Sequence, residues 1–422
     1  STTSTSAVEE IAKTKHFLGV PFTVKDCFSV KGLKQTAGLW ARKDMIPDVD
    51  ADNVRLMKEA GAIILGVTNV SELCMWWESS NTIYGRTNNP YDTNRIVGGS
   101  SGGEGCILSA SGSPMGIGSD IGGSIRMPCF FNGIFGHKPT SGIVSNHGEE
   151  PEAVGALQSY LVTGPMCRFT VDLIPMYKVL AASNVHLLSL DKKVNLKEIK
   201  IYYMEDDGGN PALTPVDREL KVAQHKVLDH FKQAYKITPV KVELKCLIDS
   251  VRIYFAKLGE VKEASSFASE LNLKRGEISV WTEFVKGLFG LSKHTFPALF
   301  LALFEKLNHN NCDNPKLHHY ADKLKQDFKN IMGDDGVFLY PSHPMPAPYH
   351  SEPLFRPFNF AYTAILNILC IPVTQCPLGL SSKGIPLGIQ VAANQYQDHL
   401  TLAVAEEIEK AFGGWVNPSQ VL

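Results

Sequence analysis

The sequence lacks any run of roughly 18 uninterrupted apolar residues, so no membrane-spanning helix is expected within it. The longest apolar stretch is Phe296–Phe304 (FPALFLALF), too short to span. It also lacks a basic excess: 41 Lys and Arg stand against 43 Asp and Glu, a formal charge of −2. That balance excludes a nucleic-acid binder working through a basic patch. Nine cysteines contain no C-x-x-C pair, and an odd number spread along the chain reads as reduced thiols of an intracellular protein. The opening STTSTSAVEEIAK has neither the basic start nor the apolar core of a secretory signal. Neither G-x-G-x-x-G nor G-x-x-x-x-G-K-[ST] stands in a strand–turn–helix context, which sets aside a phosphate-binding loop. With 44% hydrophobic and 20% charged residues, disorder is excluded as well.

What is present alternates. Strand patterns over Phe17–Val24, Ala62–Val67, Ile199–Met204, Ile237–Val242, Val337–Tyr340, Ile371–Gln375 and Gly388–Ala392 are interleaved with helical patterns. The helical spacings cover Asp50–Ala60, Val216–Gln233 and Asp398–Phe412, the last stopped by Gly413-Gly414. This predicts an α/β fold, a large twisted mixed sheet covered by helices on both faces, in one domain over 1–422 with a helical middle at 244–328.

Between Gly98 and Gly123 the chain turns rich in Gly and Ser and poor in charge. The segment Gly116–Arg126 (GIGSDIGGSIR) puts a strand end, several glycines and then Ser124 at a predicted helix start, where backbone N–H groups converge. A serine there could attack an acyl carbon beside an oxyanion site, or simply cap a helix; spacing leaves both open. Gly99–Gly103 formally matches G-x-S-x-G around Ser101, with Asp398-His399 downstream, but no strand precedes it. That match is therefore read as accidental, and His399 as the polar start of the last helix. Lys25 ends the strand GVPFTVK and is followed by Asp26; it is either a solvated strand-end lysine or a base kept neutral by burial.

GVPFTVKD, GGSSGGEG and GSDIGGSIRMP, with 75 residues from Lys25 to Ser100 and 24 from Ser100 to Ser124, together resemble the amidase signature family. The resemblance runs from about Phe17 to the C-terminus. SELCMWWESSNTIYGRTNNPYD, IRMPCFFNGIFGHKP, GDDGVFLYPSHP and PVTQCPLGL resemble its fatty-acid amide hydrolase branch in particular. The resemblance implies the amidase signature fold, with Ser124 as nucleophile, Ser100 as bridging serine and Lys25 as terminal base. It also implies a cis peptide at Gly99-Ser100 and an oxyanion hole from the N–H groups of Ile121, Gly122, Gly123 and Ser124. Cys74, Met75 and Ser100 would contact substrate, and Asp120 and Arg126 would pair to hold the loop. The implied activity is cleavage of lipophilic fatty-acid amides through an acyl-enzyme, without cofactor or metal. The alternative is the glutamine-hydrolysing component of a tRNA-dependent amidotransferase, whose zwitterionic substrate fits poorly with the apolar run Cys74–Trp77. Expected partners are a lipophilic amide and a membrane or lipid surface, with a homodimer left open and no nucleic acid.

Trp281–Leu307 carries Leu288, Phe289, Leu291, Phe296, Leu299, Phe300, Leu303 and Phe304 around a break at Lys293–Pro297. It reads as two helices, either a core pair or, at 281–307, a membrane-dipping cap at substrate entry. Phe130 and Phe131 could line an acyl pocket or pack their helix. His309, Cys312, Asp313, His318 and His319 have ligand chemistry but no closed zinc spacing, so no metal is expected. Only 24 residues precede Lys25, fewer than the family's helical layer, so the chain reads as a fragment or as short of that layer.

Overall fold

The computed structural model describes residues 14–308 and 314–420. His309, Cys312 and Asp313 lie outside them. A ten-stranded mixed sheet forms the centre. Its strands, in chain order, are β1 (Pro21–Lys25), β2 (Ile63–Thr68), β3 (Met115–Asp120), β4 (Phe135–Lys138), β5 (Val162–Cys167), β6 (Lys200–Tyr203), β7 (Val240–Lys241), β8 (Gly336–Tyr340), β9 (Val373–Leu380) and β10 (Pro386–Ala393). They lie side by side as β7-β6-β8-β10-β9-β4-β5-β3-β1-β2.

Alternation of side chains across the sheet builds two cores. On β8, Val337 and Leu339 join one cluster while Phe338 and Tyr340 join the other, and Val391 and Ala392 of β10 divide the same way. Helices α1 (Asp52–Glu59), α4 (Leu173–Ala181) and α11 (Asp398–Phe412) cover the first cluster; α3 (Arg126–Phe131), α6 (Ser250–Gly259), α9 (Pro315–Met332) and α10 (Ala361–Ile368) cover the second. Further helices include α2 (Gly102–Ser109), α5 (Arg218–Tyr235), α7 (Val280–Leu288) and α8 (Phe296–Asn308). The last helix has the bounds expected from its pattern. The helical middle is a series of separate helices that ends in the 18-residue α9.

The positions that matter come from one edge of the sheet. β1 runs parallel to both β2 and β3, with Val24 opposite Ile117, so Lys25 and the loop that leaves β3 at Asp120 emerge on the same side. Carboxyl ends of parallel strands are where α/β proteins gather reacting groups.

Candidate active site

Lys25 is 1% exposed at the end of β1. Its Nζ donates to Ser100 Oγ at 2.6 Å and to Ser119 Oγ at 2.9 Å. Ser100 is held from several sides. Its peptide with Gly99 is cis. Ser79 Oγ donates to the carbonyls of Gly98 (2.9 Å) and Ser100 (3.2 Å) and accepts from Gly102 N–H at 3.0 Å. α2, which begins two residues later, is fixed to the sheet by Glu104, whose carboxyl takes the hydroxyls of Thr23 (2.7 Å) and Thr68 (2.6 Å). Burial pushes that carboxyl up to about 8, so it sits uncharged beneath the site.

Ser124 lies two residues before α3, at the end of the loop Ile121–Ser124, and Ser101 N–H donates to its carbonyl at 3.2 Å. That contact seats the two serine loops against each other. Asp120 organises the loop. Its carboxylate accepts from the N–H groups of Gly123 (2.8 Å), Ile125 (3.1 Å) and Arg126 (3.3 Å). Burial pushes the Asp120 carboxyl up, but the Arg126 guanidinium outweighs it and holds the group well below the usual carboxylate range.

The Asp120–Arg126 pair, 2.9 Å apart and 0% exposed on both sides, is no surface ion pair. Arg126 also donates to Thr363 O (2.9 Å), Gln390 Oε1 (2.9 Å) and Asn367 Oδ1 (2.6 Å), so its charge is fully satisfied. Removing one member of such a buried pair typically costs about 3–5 kcal/mol. The loop is thereby locked to α10 and β10.

In this lock Gly123 N–H donates to Asp120 Oδ1 at 2.8 Å and so helps hold the loop. The N–H groups of Ile121, Gly122 and Ser124 make no hydrogen bond among the described residues. Gly123 itself cannot be replaced by a larger residue: its φ is +116°, and a Cβ would stand 2.0 Å from Thr363 Oγ1.

Burial alone suggests a neutral Lys25, and the groups around it act the other way. Burial pushes the amine down, but Cys74, Cys27, Glu149 and Asp120 around it push it up, and the balance lies above the ordinary lysine value.

From Ser124 an apolar cavity opens outward. Cys74 and Met75 stand in its wall with Trp76, Trp77 and Met127, beside Tyr254, Phe255, Phe300, Phe304 and Phe358. Among the described residues no charged side chain lines it. Phe130 and Phe131 are fully buried in the core and do not reach it. Asp398 is a buried structural acceptor for Thr140, His137 and Tyr177, and Ser101 is buried under α2, so the G-x-S-x-G match carries no triad.

Reading the sequence missed Ser119, Glu149, Thr363, Asn367, Gln390 and the pocket wall from α6 and residues 357–360. Ser119 alone left a local signal, standing beside Asp120 in the Gly-rich motif.

Fold and site together define an amide-bond hydrolase: the chain belongs to the Amidase family, whose profile matches residues 3–402. Within that family it is 52% identical over 409 residues to fatty-acid amide hydrolase 2 of Homo sapiens, covering 96% of this chain and 77% of that one. Fatty-acid amide hydrolase 2-B of Danio rerio is 48% identical, covering 98% and 79%. A glutamyl-tRNA(Gln) amidotransferase component of Sulfurisphaera tokodaii is 28% identical, covering 93% and 84%. Among solved structures, a fatty acid amide hydrolase superposes with a TM-score of 0.71 at 22% identity, covering 94% of this chain and 74% of that one.

Proposed function

We propose that the protein hydrolyses lipophilic amides of the fatty-acid class through an acyl-enzyme on Ser124, using a Ser-Ser-Lys relay. The observation that carries this reading is the uncharged aromatic cavity that begins at Ser124. An apolar chain gains about 0.8 kcal/mol per buried methylene there, whereas an amino-acid zwitterion would leave its charges unpaired. The likeness to two proteins called fatty-acid amide hydrolase 2 agrees with it. The amidotransferase reading lacks a charged group to hold glutamine.

In this reading Ser100, whose hydroxyl is 2.6 Å from Lys25 Nζ, passes the Ser124 proton to the free-base amine as Ser124 attacks the carbonyl. The oxyanion is received by the N–H groups of Ile121, Gly122 and Ser124. With Ser124 Oγ now bonded to the acyl carbon, the Lys25 ammonium returns the proton through the Ser100 hydroxyl to the leaving nitrogen, the C–N bond breaks to free the amine, and water then releases the acid from Ser124. On a panel of saturated primary amides, kcat/KM should rise with each added methylene until the cavity is filled. Glutamine should not be turned over. A flat series, or turnover of glutamine, would contradict the reading.

The cap divides between the two readings given by its sequence. Phe300 and Phe304 face inward, Phe300 edge-on to Trp76 at 6.2 Å, and belong to the pocket. The outer face of α7 and the residue that caps it are bare: Trp281, Leu288 and Phe289 are 66%, 65% and 75% exposed. Among the described residues no helix is long and apolar enough to cross a membrane. This face supports a protein that rests on a lipid surface and draws substrate from it. Changing Trp281, Leu288 and Phe289 together to Ser should weaken flotation with phosphatidylcholine vesicles while leaving the melting temperature within a degree or two. Unchanged flotation would count against a lipid-facing cap.

A further inference from the structure

Beside the cavity that begins at Ser124 lies a second one, and a partition one side chain thick divides them: Met75, Trp76 and Leu301 line both. A wall with space on each side is not fixed by close packing, so its position depends on the bonds at its edges.

One part of that wall is the turn from Ser71 to Trp76. Leu73 and Cys74 are both left-handed there, with φ of +50° and +58°, a backbone that residues other than glycine keep only where their surroundings impose it. Leu73 N–H donates to Ala37 O at 2.7 Å, and Ser71 Oγ accepts Trp76 N–H at 3.1 Å and donates to Trp76 O at 2.9 Å. The other part is α8, which contributes Phe300, Leu301 and Phe304. Leu73 packs into one small core with Val280 of α7 and Ala298 and Leu299 of α8.

Glu72 bridges the two parts. It is 2% exposed, and both carboxylate oxygens are engaged at the start of α8: Oε1 lies 2.7 Å from His294 Nδ1, and Oε2 accepts Thr295 N–H at 2.7 Å. The loop it grips is ordered from within. Ser292 Oγ accepts His294 N–H at 3.1 Å and donates to Glu283 Oε2 of α7 at 2.8 Å, and Thr295 Oγ1 accepts Ala298 N–H at 3.3 Å. The other buried carboxylate of the second cavity, Glu78, does not do this. It is held by Arg86 (3.2 Å), His350 Nδ1 (3.0 Å) and Ser351 N–H (3.0 Å), none of which belongs to α8.

Resting on the lipophilic-amide reading above, we infer that Glu72 is a positioning residue for substrate selection: by tying His294 and Thr295 to the turn that carries Cys74 and Met75, it fixes the spacing of the two walls of the acyl cavity and with it the preference for long acyl chains. Glu72 itself is outside the lining of that cavity, so its influence passes through Met75 and the residues of α8.

The test is the ratio of kcat/KM on dodecanamide to kcat/KM on hexanamide, which does not depend on how much of each variant is folded. Glu72→Gln, which puts a donor where one acceptor stood, should lower the ratio severalfold through a higher KM for dodecanamide, with kcat on hexanamide little changed. His294→Leu, made from the other end of the contact, should lower it in the same way and covers the case in which the Glu72 variant folds poorly. His294→Gln, which keeps a donor, should recover most of the loss. The double variant Glu72→Gln/His294→Leu should lose less than the product of the two single losses, because both break one contact. A ratio that stays at the wild-type value in both single variants, losses that fall equally on both amides, or losses that multiply in the double variant would overturn the inference, while a wild type that prefers dodecanamide keeps the lipophilic-amide reading standing. A wild type with no such preference overturns that reading and the inference with it.

Discussion

Ser124→Ala should lower amide turnover by about 10⁴-fold or more and abolish labelling by a fluorophosphonate. Residual rates of that order are what binding and oxyanion donors alone leave in serine hydrolases. No second nucleophile is placed to substitute. Ser100 is engaged by Lys25, and Ser101 is 0% exposed beneath α2. The fold should survive, because the Ser124 hydroxyl makes no hydrogen bond among the described residues and its carbonyl contact with Ser101 N–H is main chain. Retained labelling at Ser101 or at Cys74 would overturn the assignment of the nucleophile.

Lys25→Ala should cost about 10²–10⁴-fold on an amide and clearly less on the matched ester. An amine leaves poorly unless protonated, and the relay supplies that proton; an alkoxide needs it less. The pH profile should change in kind as well. Lys25 stands above the ordinary lysine value and works as a base only when deprotonated, so wild-type activity should rise with pH on the alkaline side. The variant should lose that rise. Equal losses on amide and ester, or an unchanged rise in Lys25→Ala, would remove Lys25 from the acid–base role.

The parts of this site that could be read in sequence are those whose chemistry is local. GVPFTVK announces a strand with a lysine at its end, and glycines crowd wherever the backbone must approach another segment closely. Asp120 and Arg126, six residues apart, hold one turn together. The helix Asp398–Phe412 carries its own stop signal in Gly413-Gly414.

What could not be read depends on distant partners. The lock on Arg126 needs Thr363, Asn367 and Gln390, more than 200 residues away, and none stands in a telling local pattern. Gly123 is indistinguishable from Gly122 in sequence until Asp120 claims its N–H. The surroundings of Lys25 include Cys74 and Glu149, brought in by other loops, which no local pattern announces. Periodicity in Trp281–Leu307 likewise counts apolar residues without saying which face turns inward.

The central claim is that acyl transfer passes through Ser124. The most direct measurement is peptide mass spectrometry on wild-type enzyme, acid-quenched during turnover of a long-chain primary amide. One acyl group, carried by the peptide that contains Ser124, released by hydroxylamine and absent from Ser124→Ala, is the predicted result. An acyl group on Cys74 or Ser101 instead, or full turnover with no trapped acyl-enzyme under conditions where the ester analogue does trap one, would contradict it.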